Sequence, residues 1–192
     1  ALKAEIKRRS SIQLIPEVSP VGEHQSNGAV ENIGKRVQGI FRTLKSSTEA
    51  RYNTRLTSSH CIIPWMVRQG AAAIDKFQVG EDGKTAYQRW KGRTYARGIA
   101  EFGECVTYCK LVSKGVDKFD ERWEEGIWLG AKDESDEISI GTNKGVVKAR
   151  AVRRKANFEE RWNFNQFNEI KGAPWEPIPG SNSIDIKSRG NL

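Results

Sequence analysis

The stretch EEGIWLGAKDESDEISIGTNKGVVKARAVRRK, residues 124–155, decides the fold. Apolar residues, many of them β-branched, cluster in it at 126–132, 137–142 and 145–155, and glycines and polar residues separate the clusters. Short runs of this composition predict β-strands. A run at 105–111 alternates in the same way before them. Short strands at close spacing are typical of a small β-barrel, so we expect one here.

Helical periodicity replaces this alternation upstream. Asn27 and Gly28 form a turn at the start of an apolar stripe whose members recur at helical spacing, and Asn27 can serve as the N-cap. The members of the stripe are Val30, Ile33, Val37, Ile40, Phe41 and Leu44. Two further segments, 60–77 and 85–91, also predict helices, and a short strand is predicted at 11–15. The fold class is therefore α+β.

The composition excludes several classes of protein. The chain has 192 residues and a net charge of +8, and 37% of its residues are hydrophobic, so it is long enough to bury a core and is not a wholly disordered chain. No run approaches the ~20 apolar residues that span a bilayer, so we expect no membrane partner. Three cysteines argue against a disulfide framework and favour reduced thiols.

The positive charge is concentrated in two places. Residues 1–100 hold 17 basic and 8 acidic side chains, whereas residues 101–192 hold 15 and 16. Within the second half, KARAVRRK at 148–155 holds five basic residues and no acid. A basic half and a basic strand indicate a polyanionic partner such as nucleic acid, but ordinary solvated lysines and arginines give the same counts. Charge alone does not decide between the two.

Three motifs in serial order carry a resemblance to a family. They are SPVGEHQSNGAVEN at 19–32, TAYQRWKG at 85–92, and the pair EFGECVTYCKL at 101–111 and EEGIWLGAKDESDEISIGTNKGVVKARAV at 124–152. Together they resemble the end of the catalytic core and the following β-rich segment of copia-type LTR-retrotransposon integrases, which belong to the retroviral-type integrase family. The resemblance covers residues ~1–155, and its specificity comes from the order of the motifs.

The resemblance implies a domain organisation. Residues 1–46 would be the C-terminal part of an RNase H-like integrase core, with its closing strand and helices. Residues 47–100 would be a helical connector, and residues 101–156 an SH3-like β-barrel. Residues 157–192 would be an aromatic and proline-rich extension that ends in a disordered tail. The apolar stripe from Ile33 to Phe41 would then face core partners that this chain lacks.

The resemblance also implies chemistry. Family members join DNA strands with two Mg²⁺ or Mn²⁺ ions, which two aspartates and one glutamate hold for in-line phosphoryl displacement. Glu31 matches the third acid, so it is the candidate catalytic residue and metal ligand. Only 30 residues precede Glu31, and none of them is Asp. We therefore expect a truncated Mg-dependent polynucleotidyl transferase that lacks two of its three carboxylates and is inactive as the isolated chain.

A zinc site is not expected. The chain has two histidines, His24 and His60, and Cys105 and Cys109 are spaced differently from the cysteines of a zinc finger. The implied partner is double-stranded DNA, both element ends and target. The candidate DNA-binding residues are Lys35, Arg36, Arg42, Lys45, Lys148, Arg150, Arg153, Arg154 and Lys155. The family further implies a homo-oligomer and a location in the nucleus.

Plainer interpretations compete with each of these. Glu31 can simply complement the helix dipole, and Lys35 can pair with Glu31 one turn away. The basic strand can be a solvated face of the sheet. Four tryptophans are expected in the core rather than as stacking platforms for bases: Trp90, Trp123, Trp128 and Trp162. The alternative to an integrase fragment is a non-catalytic DNA-binding or protein-interaction module derived from one.

Overall fold

The computed structural model of the chain describes residues 28–96, 100–110, 121–132, 135 and 137–181. Its contacts form two compact units, Ala1–Arg36 and Val37–Leu192. Helices come first and an antiparallel sheet follows, so the predicted α+β class is confirmed. The strand predicted at 11–15, the N-cap Asn27 and the tail after Ser181 lie outside the described residues.

The first helix, α1, is Gly28–Tyr52, and it continues about two turns beyond Leu44, the last residue of the predicted stripe. An i,i+4 ion pair between Lys45 and Glu49 at 3.3 Å supports the added turns. The helix ends before Asn53, whose φ of 46° lies in the left-handed region. Its last residue, Tyr52, is buried, and its hydroxyl donates a 2.6 Å hydrogen bond to the Gly103 carbonyl.

The second helix, α2, is Ile62–Phe77, and it buries Trp65 and Met66. At Gly70 this helix packs against α1, since a Cβ at this position would be in van der Waals contact with Ile40 Cγ2, at 3.6 Å. Phe41 and Leu44 pack against the same core. The expectation that the stripe faces missing partners is therefore wrong for Ile40 and Phe41, because α2 and the core beyond it supply the partners.

The third helix, α3, is Ala86–Lys91, as the sequence predicts. Thr85 is its N-cap and forms a capping box with Gln88. Gly92 ends it in the left-handed region at a φ of 69°. Both ends of this short helix are therefore fixed by local hydrogen bonds.

Five antiparallel strands form one sheet in the order β4-β3-β2-β1-β5. The strands are β1 Cys105–Cys109, β2 Trp123–Ala131, β3 Ile138–Thr142, β4 Gly145–Ala149 and β5 Val152–Arg154. The predicted run at 145–155 is thus two strands. The chain breaks at Arg150 and Ala151 because β4 pairs with β3, whereas β5 pairs with β1 at the opposite edge.

This arrangement requires a strongly curled sheet. Ala149 and Val152 are three residues apart, so their Cα atoms are at most about 11 Å apart. Four strand spacings in a flat sheet would separate the same edges by about 19 Å. A register shift between Trp128 and Gly130 gives β2 a bulge, which bends a strand. Among the described residues β4 and β5 do not pair, so the sheet remains open.

The segment after the sheet completes the core. It contains a 3-10 helix, Glu159–Trp162, and a helix α4, Phe164–Asn168. Phe167 is fully buried and stacks on Tyr52 with ring centroids 4.1 Å apart. Trp65 Nε1 donates a 2.9 Å hydrogen bond to the Gly172 carbonyl. Residues 157–181 are therefore packed against the rest of their unit.

In the described part of the chain, no helix combines the length and the apolar character that a membrane span needs.

Candidate nucleic-acid interface

The basic stretch 148–155 occupies β4, the break after it and β5. Its first two cations share one carboxylate: Lys148 Nζ lies 3.9 Å from Glu137 Oε2, and Arg150 Nε lies 3.7 Å from Glu137 Oε1. Ser135 also donates a 3.1 Å hydrogen bond to Glu137 Oε2. Glu137 therefore offsets much of the positive charge at this end of the stretch.

Arg154 has a structural partner. Its Nε donates a 2.8 Å hydrogen bond to Oε1 of Glu104, a side chain with 0% exposure. The other oxygen of Glu104 accepts a 2.9 Å hydrogen bond from the Glu101 amide, and Arg161 Nε lies 3.7 Å from Oε1. The hydrogen bond to Glu104 raises the pKa of Arg154 above its usual value. Arg154 thus neutralises a buried carboxylate and ties β5 to the start of β1.

Lys155 also has an internal carboxylate partner. Its Nζ lies 2.6 Å from Glu125 Oε1, and its side chain is only 10% exposed. Gln166 Nε2 donates a 3.4 Å hydrogen bond to the second oxygen of Glu125. Lys155 therefore joins β2 to the end of β5, and little of its charge faces solvent.

Arg153 differs from its neighbours. Its guanidinium carbon lies 4.2 Å from the centre of the Trp123 ring, and its side chain is exposed. The register explains the contact: Thr107 of β1 is paired with Arg153, and Cys109 is paired with Trp123. Successive residues of a strand alternate in side, so these four side chains share one face of the sheet. Arg153 and Trp123 reach each other over β1, and we call them the Trp123–Arg153 pair.

Stacking suits Arg153 for contact with a polyanion. A guanidinium that lies flat on an aromatic ring keeps its N–H groups in the plane of the fork, where they can bind a phosphate. Within 148–155, Arg153 is the cation that contacts an aromatic ring in the described structure, whereas its neighbours pair with carboxylates.

The other candidate DNA contacts lie on α1. In the first unit, Lys35 and Arg36 are exposed. In the second, Arg42 is exposed, whereas Lys45 is half-buried and paired with Glu49. The i,i+4 spacing of Lys45 and Glu49 would have indicated this pair, had the predicted helix been extended beyond Leu44.

Glu31 is exposed in the first turn of α1, and Gly28 is the first helical residue. No group of three His, Cys, Asp or Glu side chains in the described residues is placed to hold a metal ion. The described residues alone do not assemble the carboxylate cluster that a two-metal site requires, so no metal-dependent step follows from them. The role of Glu31 as a metal ligand stays a prediction.

The cysteines of β1 share one face, as their alternation predicts, but they differ in burial. Cys105 is fully buried and Cys109 is half-buried. Burial raises the pKa of the Cys105 thiol, which lies 3.7 Å from the Tyr52 hydroxyl. A buried thiol with a raised pKa is mostly protonated at neutral pH and contributes to the core as a small apolar side chain.

Sequence reasoning missed one exposed aromatic residue. Trp128 is buried and Trp162 is half-buried, as expected, but Trp90 on α3 is 58% exposed. The expectation that Trp90 fills the core is wrong: the buried residue of this short helix is Tyr87, and the side chain of Trp90, one turn later near the end of the helix, lies at the surface. The sequence signal that could have indicated this exposure is the position of Trp90 between two cations, Arg89 and Lys91.

Comparison of the chain with protein-family models, with curated proteins and with solved structures returned no match. The function is therefore argued from the residues and contacts described above.

Proposed function

We propose that this chain is a DNA-binding portion of a copia-type retrotransposon integrase and serves DNA integration in the nucleus. The serial order of three motifs in the sequence supports the family, and the single observation that carries DNA binding is the Trp123–Arg153 pair. It offers one exposed arginine fork, whereas the next two cations of the chain, Arg154 and Lys155, are held by carboxylates.

The finer description of the sheet, an SH3-like barrel, is part of this proposal. Four consecutive antiparallel strands and a short fifth strand beside the first support it. The two-residue step between β4 and β5 supports it too, because it brings opposite edges of the sheet close together. A bulge at Trp128 and Gly130, of the kind found where sheets curl, agrees with this.

The contacts reassign the candidate DNA-binding residues of the basic stretch. Arg153 is proposed to contact phosphate directly. Arg154 and Lys155 are proposed to hold β5 in position, because their partners Glu104 and Glu125 already neutralise them. A cation that pairs with a protein carboxylate releases fewer counterions from DNA when it binds, so it adds less to affinity.

The test is fluorescence anisotropy of the full chain with a labelled DNA duplex at several salt concentrations. Arg153→Gln is expected to weaken binding and to reduce the slope of log K against log salt by about 0.9, the value for one lost phosphate contact. Lys84→Gln is the matched control. It removes one exposed positive charge in the turn before α3, and binding should change little.

Two results would overturn the proposal. Equal effects of Arg153→Gln and Lys84→Gln would mean that the Trp123–Arg153 pair makes no specific contact and that only net charge matters. Absence of duplex binding at 50 mM salt, with the chain folded, would exclude DNA binding and favour a protein-interaction module. Each variant is first shown to be folded by thermal melting, so that a loss of binding is not caused by unfolding.

A further inference from the structure

Trp90 is an exposed aromatic residue that lies beside a cation. Its side chain is 58% exposed, and Lys91 Nζ lies 4.0 Å from the centre of its ring. A tryptophan at the surface leaves a large apolar area in water, which is unfavourable unless a partner covers it. Lys91 covers part of one face of the ring, and the remaining area is open to a ligand.

Trp90 is held on a rigid support. The capping box of Thr85 and Gln88 fixes the start of α3, and Gly92 fixes its end. Tyr87, one turn before Trp90, is buried, and its ring meets the Tyr95 ring edge-on at 5.3 Å. A side chain on such a base loses little conformational freedom when it binds, which favours affinity.

The charges beside Trp90 are positive. Arg89 binds both carboxylate oxygens of Asp82, with Nε 2.9 Å from Oδ2, so its charge is largely offset. The Lys91 ammonium, in contrast, contacts the Trp90 ring itself. An aromatic ring with cations at its rim fits a partner that combines a flat ring with a negative charge.

We propose that Trp90 and Lys91 form a stacking platform for an unpaired base of single-stranded DNA. The base would stack on the Trp90 ring, and Lys91 would swing to the adjoining phosphate. Bases in the interior of a duplex have no free face, so the site selects single-stranded segments or frayed ends. This inference rests on the proposed function for the class of its partner, DNA, but uses a different element of the fold.

The experiment measures binding of labelled oligo(dT) and of a labelled duplex to the full chain. Trp90→Ala should weaken oligo(dT) binding by about 5- to 150-fold, the range for loss of one base stack, and should leave duplex binding nearly unchanged. Trp90→Phe should recover part of the affinity. Lys91→Gln should reduce the salt slope for oligo(dT) by about 0.7.

Trp175→Ala is the matched control. Trp175 is 66% exposed, but its neighbours in the chain are Pro174 and Glu176 rather than cations. Equal oligo(dT) affinity in the Trp90→Ala and Trp175→Ala proteins would overturn the platform, because loss of Trp90 would then have no specific effect. Loss of duplex binding with Arg153→Gln, at unchanged oligo(dT) binding, would support two separate sites. Binding of neither DNA by the wild-type chain would overturn both proposals.

Discussion

Arg154 Nε lies 2.8 Å from Glu104 Oε1, and the Glu104 side chain is fully buried whereas that of Arg154 is 43% exposed. The pair joins the residue just before β1 to the last residue of β5. A buried carboxylate without a counter-charge is strongly destabilising, whereas the net contribution of a complete pair is modest. The fold therefore requires Arg154, one of the arginines of the basic stretch, as the counter-charge of a buried carboxylate.

Arg154→Gln is expected to lower the free energy of unfolding by about 3 kcal/mol, the low end for a broken buried pair, because Arg161 remains nearby. Glu104→Gln/Arg154→Gln should lose less than Arg154→Gln alone, since no buried charge is then left unpaired. Urea denaturation of the wild type, both single variants and the double variant gives the coupling energy. Additive losses would contradict the pairing.

Tyr52→Phe tests the link between α1 and the turn before β1. The Tyr52 hydroxyl donates a 2.6 Å hydrogen bond to the Gly103 carbonyl, and both groups are buried. Its loss should reduce stability by about 1–2 kcal/mol, because the carbonyl is left without this donor. Tyr87→Phe is the control, because the Tyr87 hydroxyl forms no hydrogen bond with any residue that the structure describes. Equal melting temperatures for the two variants would argue against the bond.

Local patterns were sufficient to predict individual elements. The strands β2 and β3 follow from the apolar runs at 126–132 and 137–142, and α3 follows from Thr85 and the glycine after Lys91. Residues within each run determine whether the run is extended or helical. The structure confirms these predictions. They succeed because local sequence, rather than contacts with distant residues, determines these elements.

Long-range contacts could not be predicted in the same way. The run at 145–155 holds no glycine, proline or other common turn residue after Gly145, so no local turn signal marks Arg150 and Ala151 as the place where the chain changes its partner strand. The buried role of Phe167 depends on Tyr52, which lies more than a hundred residues earlier. Such pairings arise from packing of the whole unit rather than from local propensity.

The candidate site shows the same limit. Five basic residues in eight predicted a polyanion surface, but the carboxylates that neutralise most of them come from positions 104, 125 and 137. Sequence distance hides these partners. Trp90 was expected in the core because tryptophan is bulky and apolar, but its side chain is exposed in the folded chain.

His60 should titrate below its ordinary pKa of about 6.5. Burial lowers its pKa, since its ring stacks on the buried Phe167 at 5.2 Å and its Nδ1 accepts a hydrogen bond from the Ile62 amide. The folded state therefore binds the proton less readily than the unfolded state. Stability should be constant above pH about 6.5 and should fall as pH decreases toward the folded pKa. NMR titration, with His60→Gln to assign the signal, measures this pKa directly.

A folded pKa of His60 at or above 6.5 would contradict the burial of its ring. In that case the melting temperature would not fall between neutral pH and the folded pKa. His60→Gln removes the ionisable group, so its melting temperature should depend less on pH in the same window.

Two glycines should respond in opposite directions to alanine. A Cβ at Gly126 would clash with Ile140 Cγ2 and would lie 3.0 Å from the Gly141 carbonyl oxygen, so Gly126→Ala should lower stability by about 1–3 kcal/mol. Gly39 lies within α1, and a Cβ there would meet nothing within 4 Å. Gly39→Ala should raise stability by about 0.5–1 kcal/mol through helix propensity. Thermal melts of both variants measure these changes in stability. An unchanged melting temperature for Gly126→Ala would mean that β2 and β3 are more loosely packed.

Glu137→Gln should strengthen duplex binding if the basic stretch contacts DNA. Glu137 lies within 4 Å of both Lys148 and Arg150, so loss of its charge removes one carboxylate partner from each cation. We expect a salt slope that is steeper by up to about 0.9 for each cation that gains a phosphate contact. Glu81→Gln makes the same change in net charge at an exposed turn and serves as the control. An affinity gain equal to that of Glu81→Gln would show that net charge alone acts, and that Lys148 and Arg150 do not lie at the interface.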